Sequence, residues 1–291
     1  MTYSRTLGIH NGSFHADEVT ATAFLLLYDL VDLEKVIRTR DLSELALCEY
    51  VCDVGGVYDP KIKRFDHHQV EYQGPLSSAG MILLYLKEQK ILDPHLFDMY
   101  NRMLVQGVDA HDNGLARIET GTTSFSQVIS NFLPIRYDAD EDEMNVAFFK
   151  AVGFVLGHLE RMQERYLYTV ECQNIVCNAM KTTGYALLFE ESIPWVENFF
   201  ELGGDLHPAQ FVIMPSGNHW KLRGIPPSAY ERMKVRKLLP ESWAGLLEED
   251  LKKISGIQGA IFCHKGRFIS IWETKEDALK ALRLVLEKES S

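Results

Sequence analysis

Asp66-His67-His68 sets a carboxylate and two adjacent imidazoles directly after the step Arg64-Phe65. Neighbouring side chains on an extended segment point to opposite faces, so one imidazole can bind a metal while the other meets a substrate. A histidine pair alone has ordinary structural uses, and short motifs give false matches. Acids and imidazoles recur, however, through the first half of the chain. His10, His15, Asp17, Asp53, His67 and Asp109 offer six donors from four separate loops. A mixed nitrogen and oxygen set suits Mn²⁺, with Mg²⁺, Co²⁺ and Zn²⁺ as competitors. Six donors are too many for one ion that must leave room for water and substrate. They suit two cations about 3.5–4 Å apart sharing a carboxylate, the arrangement that activates water and neutralises phosphoryl charge in phosphoester cleavage. Any single one of these side chains could equally cap a helix or satisfy a core; the grouping is the signal.

The elements that must position them follow from apolar patterning. Thr6-Leu7-Gly8-Ile9 predicts a buried strand running into the polar loop His10–Glu18, and Val19–Leu30 predicts a helix. Val36-Ile37-Arg38 and Tyr50-Val51-Cys52 predict further strands, the latter ending at Asp53 before Gly55-Gly56. Ser77 or Ser78 can cap a helix through Met81–Leu86, and a helical pattern from Leu96 to Gly107 delivers Asp109, His111 and Asp112. Strands alternating with helices favour an α/β fold with a doubly wound, mainly parallel sheet. In such folds ligands gather beyond the carboxyl ends of the strands, where His10, Asp53 and His67 fall. The acidic run Asp138–Glu143 reads as a solvated helix start. Val146, Phe149, Val152, Phe154, Val155, Leu159 and Met162 then recur at helical spacing on a core-facing side.

The second half predicts a smaller α+β domain. Strands are expected over Tyr185–Phe189, Ala209–Met214, His219–Arg223, Gly259–Cys263 and Phe268–Ile271, with a closing helix over Lys275–Leu286. The expected organisation is a metal-binding domain over 1–135, connecting helices over 136–182, and a substrate-binding domain over 183–291.

Composition sets limits. With 46% hydrophobic and 24% charged residues the chain matches an ordinary soluble globular protein. A net charge of -11 argues against broad electrostatic binding to nucleic acid or an anionic membrane, while permitting a local basic groove. Five cysteines, an odd number without a Cys-x-x-Cys pair, point to reduced thiols. The opening residues lack an apolar leader, and no apolar run is long enough to span a bilayer. A cytoplasmic location without membrane association is expected.

Asp66-His67-His68, with His15-x-Asp17 upstream, Val-Cys-Asp53-Val-Gly between and Gly107-Val108-Asp109 after, resembles the four-motif pattern of DHH phosphoesterases. That superfamily includes RecJ-type exonucleases, oligoribonuclease/pAp phosphatases and family II inorganic pyrophosphatases. His10–Glu18, Gly107–Gly114 and Gly203-Gly204-Asp205-Leu206-His207 resemble more closely its Myg-type branch, whose eukaryotic members are described as 3′–5′ RNA exonucleases. The resemblance implies His10, His15 and Asp53 at one metal, and Asp17, Asp53, His67 and Asp109 at the other, with Asp53 bridging. His68 would face the substrate phosphate or polarise the attacking water. His111 and Asp112 would orient ligands. One departure stands out. The common pattern carries Asp-x-Asp where this chain has His15-x-Asp17, which lowers the negative charge of the site by one.

In DHH-type proteins the second domain closes over the metals and grips the substrate. The resemblance makes Lys221, Arg223, His207, His264 and Lys265 the substrate-binding candidates. Arg223 leads them, because a guanidinium pairs bidentately with phosphate oxygens. Arg232, Lys234, Arg236 and Lys237 read as a solvated face. The expected function is a two-metal phosphoesterase, a 3′–5′ exonuclease on RNA or short oligonucleotides, with room for a homo-oligomer. The alternatives are hydrolysis of a small phosphate ester or anhydride and a non-catalytic metal-binding module.

Overall fold

Short apolar runs build two five-stranded sheets in the computed structural model of the chain, which describes residues 2–117, 119–182, 184–232 and 234–287. The chain divides into two compact units, residues 1–166 and 167–291. The stretch expected to connect two domains is thus shared between them.

In the first unit β1 (Tyr3–Ile9), α1 (Ala16–Leu27), β2 (Val36–Arg38), α2 (Leu42–Leu45) and β3 (Cys48–Cys52) follow one another. Next come β4 (Tyr58–Asp59), β5 (Arg64–Phe65) and α3 (Ser78–Glu88). The strand order is β2-β1-β3-β5-β4. All pairs are parallel except β4 with β5, so the mainly parallel sheet is present with one antiparallel edge. From β1 the chain steps to β2 on one side and then crosses back to β3 on the other. Right-handed crossovers in opposite directions lie on opposite faces of a sheet. Leu7, Ile9, Tyr50, Cys52 and Phe65 accordingly meet α1 and α3 in the main core. The opposite face carries only the single turn α2, whose Leu45 covers Cys48, Val51 and Val54. The doubly wound layering is therefore lopsided. Gly8 permits it: a Cβ there would lie 2.6 Å from Leu45 Cδ2.

The helix expected over 96–107 runs further. α4 (Pro94–Tyr100) passes through a π segment, Asn101–Val105, into α5 (Gln106–Asp112), so Asp109 and Asp112 are helical rather than in a loop. The short α6 (Phe125–Ser130) and the long α7 (Glu141–Glu171) complete this unit, although α7 runs past its end. Phe148, Val152, Val155 and Leu159 of α7 join the core, each contributing about 1.5–3 kcal/mol through burial. Val146 and Phe154, expected on the same side, lie half-exposed, because one face of a helix cannot hold every apolar position in the run.

The second unit begins with α8 (Gln173–Met180), β6 (Ala186–Leu188), α9 (Val196–Glu201), β7 (Phe211–Ser216) and β8 (His219–Gly224). It ends with α10 (Glu248–Ser255), β9 (Ala260–Cys263), β10 (Ile269–Trp272) and α11 (Lys275–Glu287). Its sheet order is β6-β7-β8-β10-β9, parallel only at β6–β7. One face packs on α10 and α11 through Phe211, Ile213, Leu222 and Trp272; the other packs on α8 and α9 through Leu187, Val212 and Met214. All five cysteines are free. Among the described residues no helix is long and apolar enough to cross a membrane.

Candidate metal centre

His10 follows the last residue of β1, Asp53 follows β3, and His67 lies two residues beyond β5, so three neighbouring parallel strands end at one place. The loop after His10 is pinned from both sides. Phe14 packs edge-on against Phe148, and Arg38 donates to the Gly12 carbonyl at 2.6 Å and to Asn145 Oδ1 at 2.9 Å. His15 then caps α1, with Glu18 folding back to accept its N–H at 2.9 Å. Asp17 and Glu18 are fully buried in the first turn of α1, where the helix dipole favours anions.

Asp53 sits at φ 57°, a left-handed conformation that Asp tolerates better than most residues. This backbone turn aims its carboxylate at two imidazoles. Oδ2 lies 3.2 Å from His10 Nε2, and Oδ1 lies 3.3 Å from His67 Nε2. His10 Nε2 is also 3.1 Å from Glu18 Oε1, and His67 Nε2 is 3.0 Å from Asp112 Oδ2 and 3.9 Å from Asp17 Oδ2. His68 lies at the rim of the cluster, its side chain 62% exposed, with Nδ1 2.8 Å from Asp66 Oδ1 and 3.5 Å from Asp53 Oδ1. Asp66 is itself fixed, taking the Gly56 N–H at 2.6 Å and the His68 N–H at 3.1 Å. A carboxylate on Nδ1 sets the tautomer and leaves Nε2 of His68 to face outward.

The electrostatics follow from crowding. Burial, joined by the charges of Asp53, Glu18 and Asp112, pushes the Asp17 carboxyl well above its usual range. Burial would raise Asp53 as well, but the imidazoles of His10 and His67 draw it down to about 2. Burial opposes a charge on either histidine. Asp53 and Glu18 nonetheless raise His10 to about 10, and Asp112 and Asp53 raise His67 to about 10. Protons on these two rings stand where cations fit. The Asp66 carboxylate raises His68 too, against a smaller opposing effect of burial.

The donor set fits divalent metal. Asp17 Oδ1, Asp53 Oδ1 and His67 Nε2 are buried without a well-aligned hydrogen bond, although Asp53 Oδ1 and His67 Nε2 stand 3.3 Å apart and His67 Nε2 lies 3.0 Å from Asp112 Oδ2. Carboxylates and imidazoles crowded together in this way offer ligand atoms to a divalent ion. Ligand atoms converge within 4.8 Å in three groups: His10, His15, Glu18 and Asp53; Asp53, His67 and His68; and His15, Asp17 and Asp112. Asp53 is common to the first two.

Asp109 departs from expectation. Its Oδ1 accepts from Ser77 N and Oγ and from Gly80 N, at 3.1, 2.7 and 3.1 Å, so it braces the start of α3. One turn later, Asp112 reaches His67 in its place. Ser77 and Ser78 likewise do not cap α3 with their side chains; Ser78 Oγ donates to Asp17 Oδ2 at 2.8 Å. Glu18 joins the group at His10; it closes the motif His10–Glu18 but is not among the ligands expected from it. An acid in the first turn of a helix looks like an ordinary dipole partner.

Within the second unit, Lys221 and Arg223 alternate onto one face of β8, paired across the sheet with Ile271 and Ile269. Burial lowers the pKa of both, helped by Arg223 for Lys221 and by Arg232 for Arg223. Arg223 donates to the Arg232 carbonyl at 3.1 Å, while its buried Nε has no partner. His264 accepts the Gly266 N–H at 2.9 Å and packs on Phe268; Lys265 is exposed. His207 contradicts its expected substrate role. Its Nε2 contacts the Met180 carbonyl at 2.9 Å and its Nδ1 accepts the Ala209 N–H at 3.2 Å, which occupies both ring nitrogens. Arg236 donates to the carbonyls of Gly204, His207 and Ala209, and Arg232 and Lys234 pair with Glu197 and Glu231.

A family model described as "MYG1_exonuc: Uncharacterised protein family (UPF0160)" matches residues 6–286. The chain belongs to this family. It is 50% identical to the MYG1 protein of Chlamydia pneumoniae over 99% of this chain and 98% of that one. It is 31% identical to the MYG1 exonuclease of Homo sapiens, over 98% of this chain and 86% of that one. Among solved structures, manganese-bound RecJ from Thermus thermophilus aligns at a TM-score of 0.30 and 14% identity. The alignment covers 98% of this chain and about half, 52%, of the RecJ chain, and a likeness of that size bears on neither fold nor function.

Proposed function

We propose that this protein is a metal-dependent exonuclease of the DHH type that removes nucleotides from the 3′ end of RNA or short oligonucleotides. The convergence of His10, Asp17, Asp53, His67 and Asp112 beyond the strand ends, with ligand atoms within 4.8 Å of one another in overlapping groups, carries this reading. The naming of the mammalian relatives as exonucleases supports the substrate class. His10, His15 and Asp53 would hold one divalent cation; Asp17, Asp53, His67 and Asp112 would hold a second. Mn²⁺ suits this set of imidazoles and carboxylates, with Mg²⁺ as its nearest competitor. When bound, such a pair supplies an acidified water and neutralises charge on the phosphoryl oxygens.

The protein's own groups do the rest. Asp53 fixes the spacing of the two halves by sharing its oxygens between His10 and His67. His68, held by Asp66, presents its outward nitrogen to a non-bridging phosphate oxygen as charge develops there. Arg223 and Lys221 hold the sugar–phosphate chain from the face of β8, and His264 and Lys265 add polar contacts at the turn. The test is a cleavage assay on 5′-labelled RNA and DNA with Mn²⁺ or with EDTA. A product ladder from RNA that vanishes in EDTA and in Asp53→Ala and His67→Ala is expected. Cleavage unaffected by EDTA, or none of either polymer, contradicts the reading.

A further inference from the structure

We propose that Glu18 is a metal ligand in its own right and restores the negative charge lost where His15 replaces a carboxylate. This rests on the two-cation reading above. The glutamate is the third residue of α1, fully buried, with both oxygens 2.9 Å from the His15 N–H. Its Oε1 lies 3.1 Å from His10 Nε2, the same nitrogen that stands 3.2 Å from Asp53 Oδ2. One imidazole nitrogen thus faces oxygens of two separate carboxylates. His15 Nδ1, by contrast, belongs to a ring 63% exposed, and its nearest carboxylate, Asp112, is 4.0 Å away. The weakly held imidazole and the deeply held glutamate have exchanged the burial expected of a ligand and a cap.

Capping alone does not account for Glu18. A capping glutamate accepts one backbone N–H at the helix surface and needs no burial. A fully buried carboxylate needs a counter-charge or a dense set of donors, a place that His10 Nε2 at 3.1 Å fills in the metal-free protein. The guanidinium of Arg38 is near enough for its charge to act on Glu18. Its hydrogen bonds nevertheless go to Gly12 and Asn145. Asp53, whose Oδ2 stands 3.2 Å from the same His10 nitrogen, brings a second buried carboxylate to this point. A divalent ion beside His10, Glu18 and Asp53 meets the requirement of all three. Three residues downstream of His15 on a helix is also the position that comes back to the same face, so the compensation lies within one turn.

Glu18→Gln separates the two roles, because the amide oxygen still accepts the His15 N–H while the charge is gone. Mn²⁺ titration followed by electron paramagnetic resonance of the free ion reads the outcome, with melting in EDTA confirming that the variant folds. The wild-type protein is expected to bind two ions. Glu18→Gln should keep one and bind the other at least about 10-fold more weakly, the lower bound for loss of a ligand-supporting group. Two ions bound with less than a 10-fold change overturn the role of Glu18 and leave the two-cation reading standing. A wild-type protein that binds no Mn²⁺ overturns both. Should the variant not fold, crystals of the Mn²⁺-loaded wild-type protein decide: a Glu18 oxygen within about 2.6 Å of an ion supports the inference, and any greater separation refutes it.

Discussion

The two units treat their charged side chains in opposite ways. In the first, Asp17, Glu18, Asp53 and His67 are buried together and leave donor atoms unpaired. In the second, Arg236 and His207 are taken up by backbone carbonyls and amides of their own unit, and Arg232 and Lys234 by neighbouring glutamates. Desolvating a cluster of acids and imidazoles is costly unless something else is bound there, whereas a carbonyl-bonded arginine is complete as it stands. Unmet demand in the first unit marks a candidate binding centre. Satisfied demand in the second marks framework, from which the β8 face with Lys221 and Arg223 is set apart.

The sharpest way to break this contrast is to remove one residue from each class. Asp53→Ala should lower kcat/KM for RNA by at least about 10³-fold, since it takes one oxygen from each half of the cluster. A loss below about 10-fold, read in the same cleavage assay, would place the chemistry elsewhere.

Next comes the pair on α5. Asp112→Ala should cost about 10²-fold in activity with little change in melting temperature in EDTA. Asp109→Ala should do the reverse. It strands the donors of Ser77 and Gly80, costs about 1–3 kcal/mol, and lowers the melting temperature by roughly 2–4 °C per kcal/mol. Identical behaviour of the two variants would erase the distinction drawn between brace and ligand.

Titration gives a smaller effect with a definite sign. His10 and His67 are raised to about 10, so in EDTA their contribution is complete below the ordinary imidazole value near 6.5 and is lost as pH climbs toward 10. Asp53, lowered to about 2, contributes above the ordinary carboxylate value and loses its contribution as pH falls toward 2. Melting temperature in EDTA should therefore decline between pH 7 and 9, and saturating Mn²⁺ should flatten that decline by taking the place of the protons. A metal-free melting temperature that rises over this range contradicts the assignment.

The mildest perturbation falls on the second unit. Arg223→Ala should weaken RNA binding while leaving turnover of bound RNA nearly unchanged. The slope of log affinity against log salt should become shallower by about 0.7, the value for one phosphate contact on a single strand. An unchanged slope would assign Arg223 to the framework with Arg236.

Much of the first unit was legible because parallel strands are continuous apolar runs and the residues after them are polar. Leu7-Gly8-Ile9 before His10 and Tyr50-Val51-Cys52 before Asp53 announce both the strands and the candidate residues that follow them. The exchange of Asp109 for Asp112 was not legible. Asp109 is singled out by the Gly107-Val108-Asp109 resemblance, and apolar spacing does not disclose which turn of α5 approaches His67. Glu18 was hidden for a different reason, since its contact with His10 depends on how β1 and α1 approach each other. The Gly203–His207 resemblance points to a substrate role for His207, whose ring is held by Met180 and Ala209 through contacts the sequence does not reveal. The one-turn size of α2 escaped notice because four residues leave no periodic trace.

The central claim is that two cations meet at Asp53, and anomalous diffraction at the manganese absorption edge from Mn²⁺-soaked crystals tests it most directly. The account predicts two peaks about 3.5–4 Å apart, each bonded to one oxygen of Asp53. A single peak, or peaks that leave Asp53 uncoordinated, would contradict it.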